Sequence, residues 1–254
     1  MLHYLIHGTD TTKPPLMIVH GLFGSARNWN VIAKRMSETR TVIAPDMRNH
    51  GTSFWADSHS YEDMARDLSE LIAAQGGVVD LVGHSMGGKA AMMLALTNPS
   101  QVARLLVADI APVSYTHSQQ QFIDAMRAVD LSQVTRRADA VAQLAQYVED
   151  KTLQSFFTQS LDVKNQRWHY NLDALERDMD KVLSFPDIDA TYDGLTLFLS
   201  GANSDYVLPE HRARIKTHFN NVKFAKIPDA GHWLHAEQPR AFEASLRAFL
   251  NFEA

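Results

Sequence analysis

The stretch Val79-Asp80-Leu81-Val82-Gly83-His84-Ser85-Met86-Gly87-Gly88 decides how this chain folds. A mostly apolar, strand-like run enters Gly83-His84-Ser85-Met86-Gly87, a G-x-S-x-G match, and the apolar run from Lys89 to Leu96 follows at once as a helix. A strand that turns directly into a helix leaves the middle serine in a strained conformation, tolerated where the residues two places to either side carry no Cβ. Gly83 and Gly87 meet that need. Such a turn lifts the Ser85 hydroxyl off the sheet, and the helix behind it directs unpaired N–H groups and a partial positive charge at the same point. A glycine-rich crossover with an incidental serine shows the same local pattern. A hydroxyl is a weak nucleophile until a base takes its proton and a third group orients that base, so a reactive Ser85 requires partners elsewhere.

Upstream, Leu16-Met17-Ile18-Val19 is a continuous apolar run, as expected of a strand buried on both faces of a parallel sheet, and it ends in His20-Gly21-Leu22-Phe23-Gly24. In hydrolases built on a serine turn, one oxyanion N–H comes from the residue after the nucleophile and another from a glycine-containing loop of this kind. Those residues are Met86 and Leu22, with Phe23 as a pocket wall; alone, the loop reads as a plain glycine turn. Leu2 to His7 reads as a short first strand, with turn chemistry at Gly8-Thr9-Asp10. Thr41-Val42-Ile43-Ala44 is another buried strand, and Asp46 and Arg48 in the loop after it read as a structural pair. A capping box, Ser60 with Asp63, introduces an amphipathic helix bearing Met64, Leu68, Leu71 and Ile72. Alternating strands and helices argue for right-handed crossovers and a parallel sheet.

Downstream, the helix Ala90 to Leu96 is apolar all round and belongs in the interior. Leu105 to Ala108 is a buried strand that carries Asp109 to the sheet's C-terminal edge, where it is a candidate acid or a turn aspartate bonding nearby N–H groups. From 115 to 191 the alternation lapses and helical periodicity takes over without clear strands, which reads as a helical cap. Its stripes are Phe122, Ile123, Met126 and Val129; Val141, Leu144, Ala145 and Val148; and Leu172, Leu175, Met179 and Val182. The cluster Trp168-His169-Tyr170-Asn171 offers Trp168 as a substrate contact, against plain aromatic packing under a cap. Leu195 to Leu199 and Val222 to Ile227 resume the core, and the latter leads to Gly231-His232-Trp233. The closing helix, Pro239 to Leu250, turns Phe242, Leu246 and Phe249 inward.

With 254 residues, 45% hydrophobic and 21% charged, the chain suits one large core with an inserted subdomain. A net charge of -5 without basic clusters gives no footprint for nucleic acid or anionic membrane, so a small-molecule substrate is expected. The absence of cysteine excludes disulfides and thiolate chemistry. Met1 to Thr12 lacks the pattern of a signal peptide and no later segment is apolar enough to span a bilayer, which points to a cytoplasmic protein. No metal-ligand spacing is present and no cofactor is expected.

The chain resembles the α/β-hydrolase superfamily over nearly its whole length. His-Gly-Leu-Phe-Gly-Ser, Asp-Met-Arg-Asn-His-Gly, Gly-His-Ser-Met-Gly-Gly-Lys, Asp-Ile-Ala-Pro-Val and Gly-His-Trp-Leu-His-Ala-Glu, in that order, are similar to bacterial YbfF-type esterases. The resemblance implies a mostly parallel sheet of seven or eight strands flanked by helices, a core of residues 1–114 and 192–254, and a helical cap at 115–191. It implies the chain order Ser85, acid, His232, with His232 as general base and His84, His50 and His235 structural. In the superfamily the acid commonly sits three residues after the glycine that follows the penultimate core strand. Here that position is Ser204, which cannot carry the charge. Asp205 is one residue late, and the alternative seat after the sixth strand, used in the YbfF-type group, is Asp109; the reading places Asp109 ahead of Asp205. The implied activity is hydrolysis of short acyl esters, extending to acyl-CoA thioesters, through an acyl-enzyme. Lys89 and Arg48 are either contacts for a phosphate-bearing leaving group or solvated surface charges, the latter being preferred. Other chemistry on the scaffold, as a C–C hydrolase, lyase or perhydrolase, and a small-ligand binding protein remain alternatives.

Overall fold

A computed structural model describes residues 1–9 and 13–252, so Asp10 of the turn read at Gly8-Thr9-Asp10 lies outside the described residues. The chain runs β1 (Tyr4–His7), β2 (Leu16–Val19), α1 (Asn30–Met36), β3 (Val42–Pro45), α2 (Tyr61–Ala74), β4 (Val79–His84), α3 (Met86–Thr97) and β5 (Val102–Ala108). Then come α4 (Gln120–Ala128), α5 (Arg137–Leu144), α6 (Lys151–Thr158), β6 (Leu161–Asp162), β7 (Arg167–Trp168), α7 (Leu172–Arg177) and α8 (Met179–Leu183). The core resumes with β8 (Leu195–Gly201), α9 (His211–His218), β9 (Val222–Ile227), α10 (Leu234–Glu237) and α11 (Pro239–Leu250). Seven strands form one sheet in the order β1-β3-β2-β4-β5-β8-β9; all neighbours are parallel except β1, which runs antiparallel to β3.

The continuous apolar strands follow from burial on both faces. In β2, Met17 and Val19 point into one core cluster and Leu16 and Ile18 into the other, and β5 divides likewise into Leu105, Val107 and Leu106, Ala108. One face is covered by Ile32, Ala33 and Met36 of α1 with Phe242, Leu246 and Phe249 of α11. The other receives α2, through Met64, Leu68, Leu71 and Ile72, and α3, buried from Met86 to Leu96. Ser60 caps α2 by accepting the Asp63 N–H at 3.2 Å. Asp109 follows the fifth strand in chain order, not the sixth. Among the described residues no helix is long and apolar enough to cross a membrane.

Between β5 and β8 the sequence reading needs correction in three places. The two-residue strands β6 and β7 form an antiparallel hairpin, too short to show alternation in sequence. α6 was not among the stripes, although Phe156 and Phe157 stand on it. The last stripe is two helices, broken at Asp178, whose carboxylate accepts the His59 N–H at 2.6 Å and pairs with Lys181 at 2.9 Å.

Three charges also sit differently. Asp46 and Arg48 are not a pair. Asp46 accepts the N–H groups of Ala26 (2.7 Å) and Thr52 (2.9 Å), whereas Arg48 is buried and holds both carboxylate oxygens of Asp67 at 2.6 and 2.9 Å. Lys89 is no solvated charge. Fully buried, its Nζ donates to the carbonyls of Val113 (2.9 Å), Leu183 (2.9 Å) and Ser184 (2.6 Å), and lies 4.8 Å from the centre of the Tyr115 ring. The α8 carbonyls are those a helix end leaves unpaired, so the cation replaces the water they lost.

Burial lowers the Lys89 pKa from 10.5 to about 7. An ammonium so displaced carries its full burial penalty below about pH 7 and sheds it as the pH rises toward 10.5. Wild-type stability is therefore expected to gain on that of Lys89→Met between about pH 7 and about pH 9.5, read from urea midpoints. Parallel pH profiles would show that Lys89 does not titrate in this window.

Candidate active site

Ser85 has φ 54° and ψ −122°, the strained geometry expected of a serine between β4 and α3. The close approach is set by its flanking glycines. A Cβ on Gly83 would stand 2.2 Å from the Gly87 carbonyl oxygen, and one on Gly87 would stand 2.4 Å from the carbonyl oxygen of His20. The turn places Ser85 Oγ 3.1 Å from Nε2 of His232, in the loop after β9.

His232 is fixed from several sides. Its Nδ1–H donates to Asp109 Oδ2 at 2.8 Å, which assigns the tautomer and leaves Nε2 as the acceptor facing Ser85. The ring stacks on Tyr206 at 4.0 Å between centroids, and its backbone carbonyl accepts a hydrogen bond from Nε2 of His84 at 2.8 Å. Burial holds the His84 pKa well below 6.5, so His84 serves as a neutral donor. The Glu237 carboxylate accepts the N–H groups of Gly231 (2.7 Å) and Trp233 (3.2 Å), pinning the chain on both sides of His232.

Asp109, with φ 52°, is fully buried at the end of β5. Besides His232, its carboxylate accepts the Gly201 N–H at 3.0 Å and the Ser204 hydroxyl at 2.5 Å. A buried carboxylate so bonded has hydrogen-bond donors where solvent is excluded. Ser204 occupies the place where the superfamily commonly has the acid, and hydrogen-bonds to the carboxylate that stands at the histidine instead. Asp205 is exposed.

Ser85, His232, Leu22, Met86 and Phe23 all line one cavity of about 340 Å³, with Phe122, Leu153, Phe156 and Phe157 contributed from between β5 and β8. Neither the Leu22 nor the Met86 N–H has a hydrogen-bond partner among the described residues. Trp168 is not part of this wall. It is buried and donates from Nε1 to the Met126 carbonyl at 3.0 Å, so its indole is spent on internal packing and the substrate contact expected of it is corrected. Among the described residues no group of three or more His, Asp or Glu side chains is placed to hold a metal ion. Sequence reasoning passed over Tyr206 and Glu237. Glu237 was within reach as the last residue of the Gly-His-Trp-Leu-His-Ala-Glu motif, while a ring stacked from a distant loop leaves no signal in spacing.

A hydroxyl hydrogen-bonded to an imidazole, itself held by a buried carboxylate and opening on an apolar cavity, can pass a proton from oxygen to nitrogen and back. Residues 16–245 match the profile of the Alpha/beta hydrolase family. The chain is 41% identical to the sn-1-specific diacylglycerol lipase ABHD11 of Mus musculus, over 98% of this chain and 85% of that one. It is 34% identical to the esterase YbfF of Escherichia coli K12, over 93% of each. A solved marine microorganism esterase superposes with a TM-score of 0.92 at 37% identity, over 98% of both chains.

Gly83→Ala or Gly87→Ala forces a methyl group against backbone, which cannot swing aside, and is expected to cost about 3 kcal/mol or more. Thermal unfolding checks this: a Gly83→Ala protein that melts with the wild type would show that the turn yields more readily than a 2.2 Å contact permits.

Proposed function

The chain belongs to the alpha/beta hydrolase family, and on that premise we propose that it is a serine esterase acting on short acyl esters through an acyl-enzyme. The observation that carries the reading is the continuous set of hydrogen bonds from Ser85 Oγ through His232 to Asp109, at the wall of an apolar cavity. In the first step Nε2 of His232 takes the Ser85 proton as the oxygen attacks the ester carbonyl, and Asp109 stabilises the imidazolium that forms. The N–H groups of Leu22 and Met86 hold the oxyanion, the latter at the N-terminus of α3, where the helix dipole adds to it. His232 then gives its proton to the departing alcohol. Water repeats the sequence on the acyl-enzyme, and the carboxylic acid leaves.

Residues 115–191 act as a cap over a core of 1–114 and 192–254, and Phe122, Leu153, Phe156 and Phe157 supply an apolar surface for the acyl chain. A volume of about 340 Å³ is at the small end for ligand sites, which favours short acyl groups. Thioesters present the same electrophile. However, Lys89 and Arg48 are both buried and engaged, so neither is offered to a phosphate-bearing leaving group, and this favours simple esters.

Ser85→Ala is expected to abolish turnover of a short p-nitrophenyl ester while leaving thermal unfolding unchanged. Asp109→Asn should lower kcat by about 10⁴ and Asp205→Asn should leave it intact. Turnover retained in Ser85→Ala would reject the nucleophile, and collapse of Asp205→Asn alone would move the acid.

A further inference from the structure

The loop that presents the Leu22 N–H is a turn closed by the Gly24 N–H on the Gly21 carbonyl at 3.0 Å. Its third residue is Phe23, with φ 59°. Turns with positive φ at that position normally place glycine or asparagine there, because a larger side chain is strained. Something outside the turn must hold Phe23 in this state.

Both backbone polar groups of Phe23 are occupied by side chains from elsewhere. Its N–H donates to Nε2 of His50 at 3.2 Å, and its carbonyl accepts the hydroxyl of Tyr170 at 2.5 Å. His50 comes from the loop after β3. Its Nδ1–H donates to the Arg48 carbonyl at 3.0 Å, leaving Nε2 free to accept. Burial, reinforced by the neighbouring His20, pushes the His50 pKa down to about 3, so the acceptor stays neutral in ordinary conditions. Tyr170 comes from the stretch between β7 and α7. It is bridged by backbone to His50, and the next residue donates its N–H to the Asn49 carbonyl at 3.0 Å. Phe23, His50 and Tyr170 are all at most 3% exposed, so water cannot replace either bond if it is lost.

We propose that His50 and Tyr170 are positioning residues that clamp Phe23 and thereby aim the Leu22 N–H at the oxyanion, which makes the oxyanion site complete only when the segment carrying Tyr170 is docked. The inference rests on the esterase reading. Neither side chain touches substrate; each acts through the backbone of Phe23. A donor held a little out of place loses transition-state stabilisation while ground-state binding in the apolar cavity persists. The signature is therefore a fall in kcat at constant KM.

The test uses the full chain with a p-nitrophenyl ester of a short acid, and an alkyl trifluoromethyl ketone as a probe that forms a tetrahedral oxyanion on the serine. Removing one oxyanion donor outright costs about 10²–10³ in kcat, so a misaimed donor in Tyr170→Phe or His50→Leu is expected to cost about 10- to 100-fold. The ketone should weaken by the same factor, with KM nearly unchanged. His50→Gln, whose amide oxygen can accept the Phe23 N–H, should recover most of the loss. Unchanged kcat and ketone affinity in Tyr170→Phe overturns the clamp, as do losses confined to KM and Tm, which would mark plain packing. Should His50→Leu not fold, Tyr170→Phe, which removes a single oxygen, decides alone. Ester turnover surviving in Ser85→Ala overturns the esterase reading and the clamp with it. An inactive Ser85→Ala beside a fully active Tyr170→Phe overturns the clamp alone.

Discussion

The approach of the Gly87 backbone to the carbonyl of His20 leaves no room for a Cβ, and the rest of the architecture depends on that closeness. It brings the end of β2 and the start of α3 together, so the loop bearing Leu22 and the helix end bearing Met86 face one point. Ser85 stands at that point because its own backbone is bent to φ 54°. The sheet provides the rigidity to bear such strain: β2, β4 and β5 are adjacent, and their apolar side chains are packed on both faces.

Around this point the protein keeps several polar groups in a nearly dry interior by giving them partners. Asp109 accepts three hydrogen bonds, and His84, His50 and His20 are held neutral by burial while each bonds a backbone group. These histidines are scaffold, and they fix loops that repetitive secondary structure cannot hold. A backbone group tied by an imidazole or a phenol has one geometry, whereas one tied to water has many.

Much of this was legible in the sequence, for reasons that can be named. The serine turn announces itself because glycine is required at fixed offsets, and buried parallel strands announce themselves as unbroken apolar runs. Asp109 could be ranked above Asp205 only through the family resemblance, which offers the end of a preceding core strand as an alternative seat for the acid. Contacts between residues far apart in sequence could not be read. Lys89 sits in an apolar helix, where a long cation usually reaches for solvent, and only the fold reveals the carbonyls of Val113, Val182, Leu183 and Ser184 converging on it. Trp168 has the composition of a ligand contact, yet its indole N–H is spent on Met126. The hairpin of β6 and β7 is too short for any period to emerge.

The Lys89 ammonium binds Val113, just after the core leaves β5, and Leu183 and Ser184, just before it resumes. The intervening stretch is thus a closed loop with both ends tied at a single nitrogen of the helix that follows Ser85. Its length and sequence can drift while the point of closure stays put, since lengthening a loop adds little closure entropy. A change in that loop can therefore reshape the cavity wall it supplies, with Ser85, His232 and Asp109 left in place.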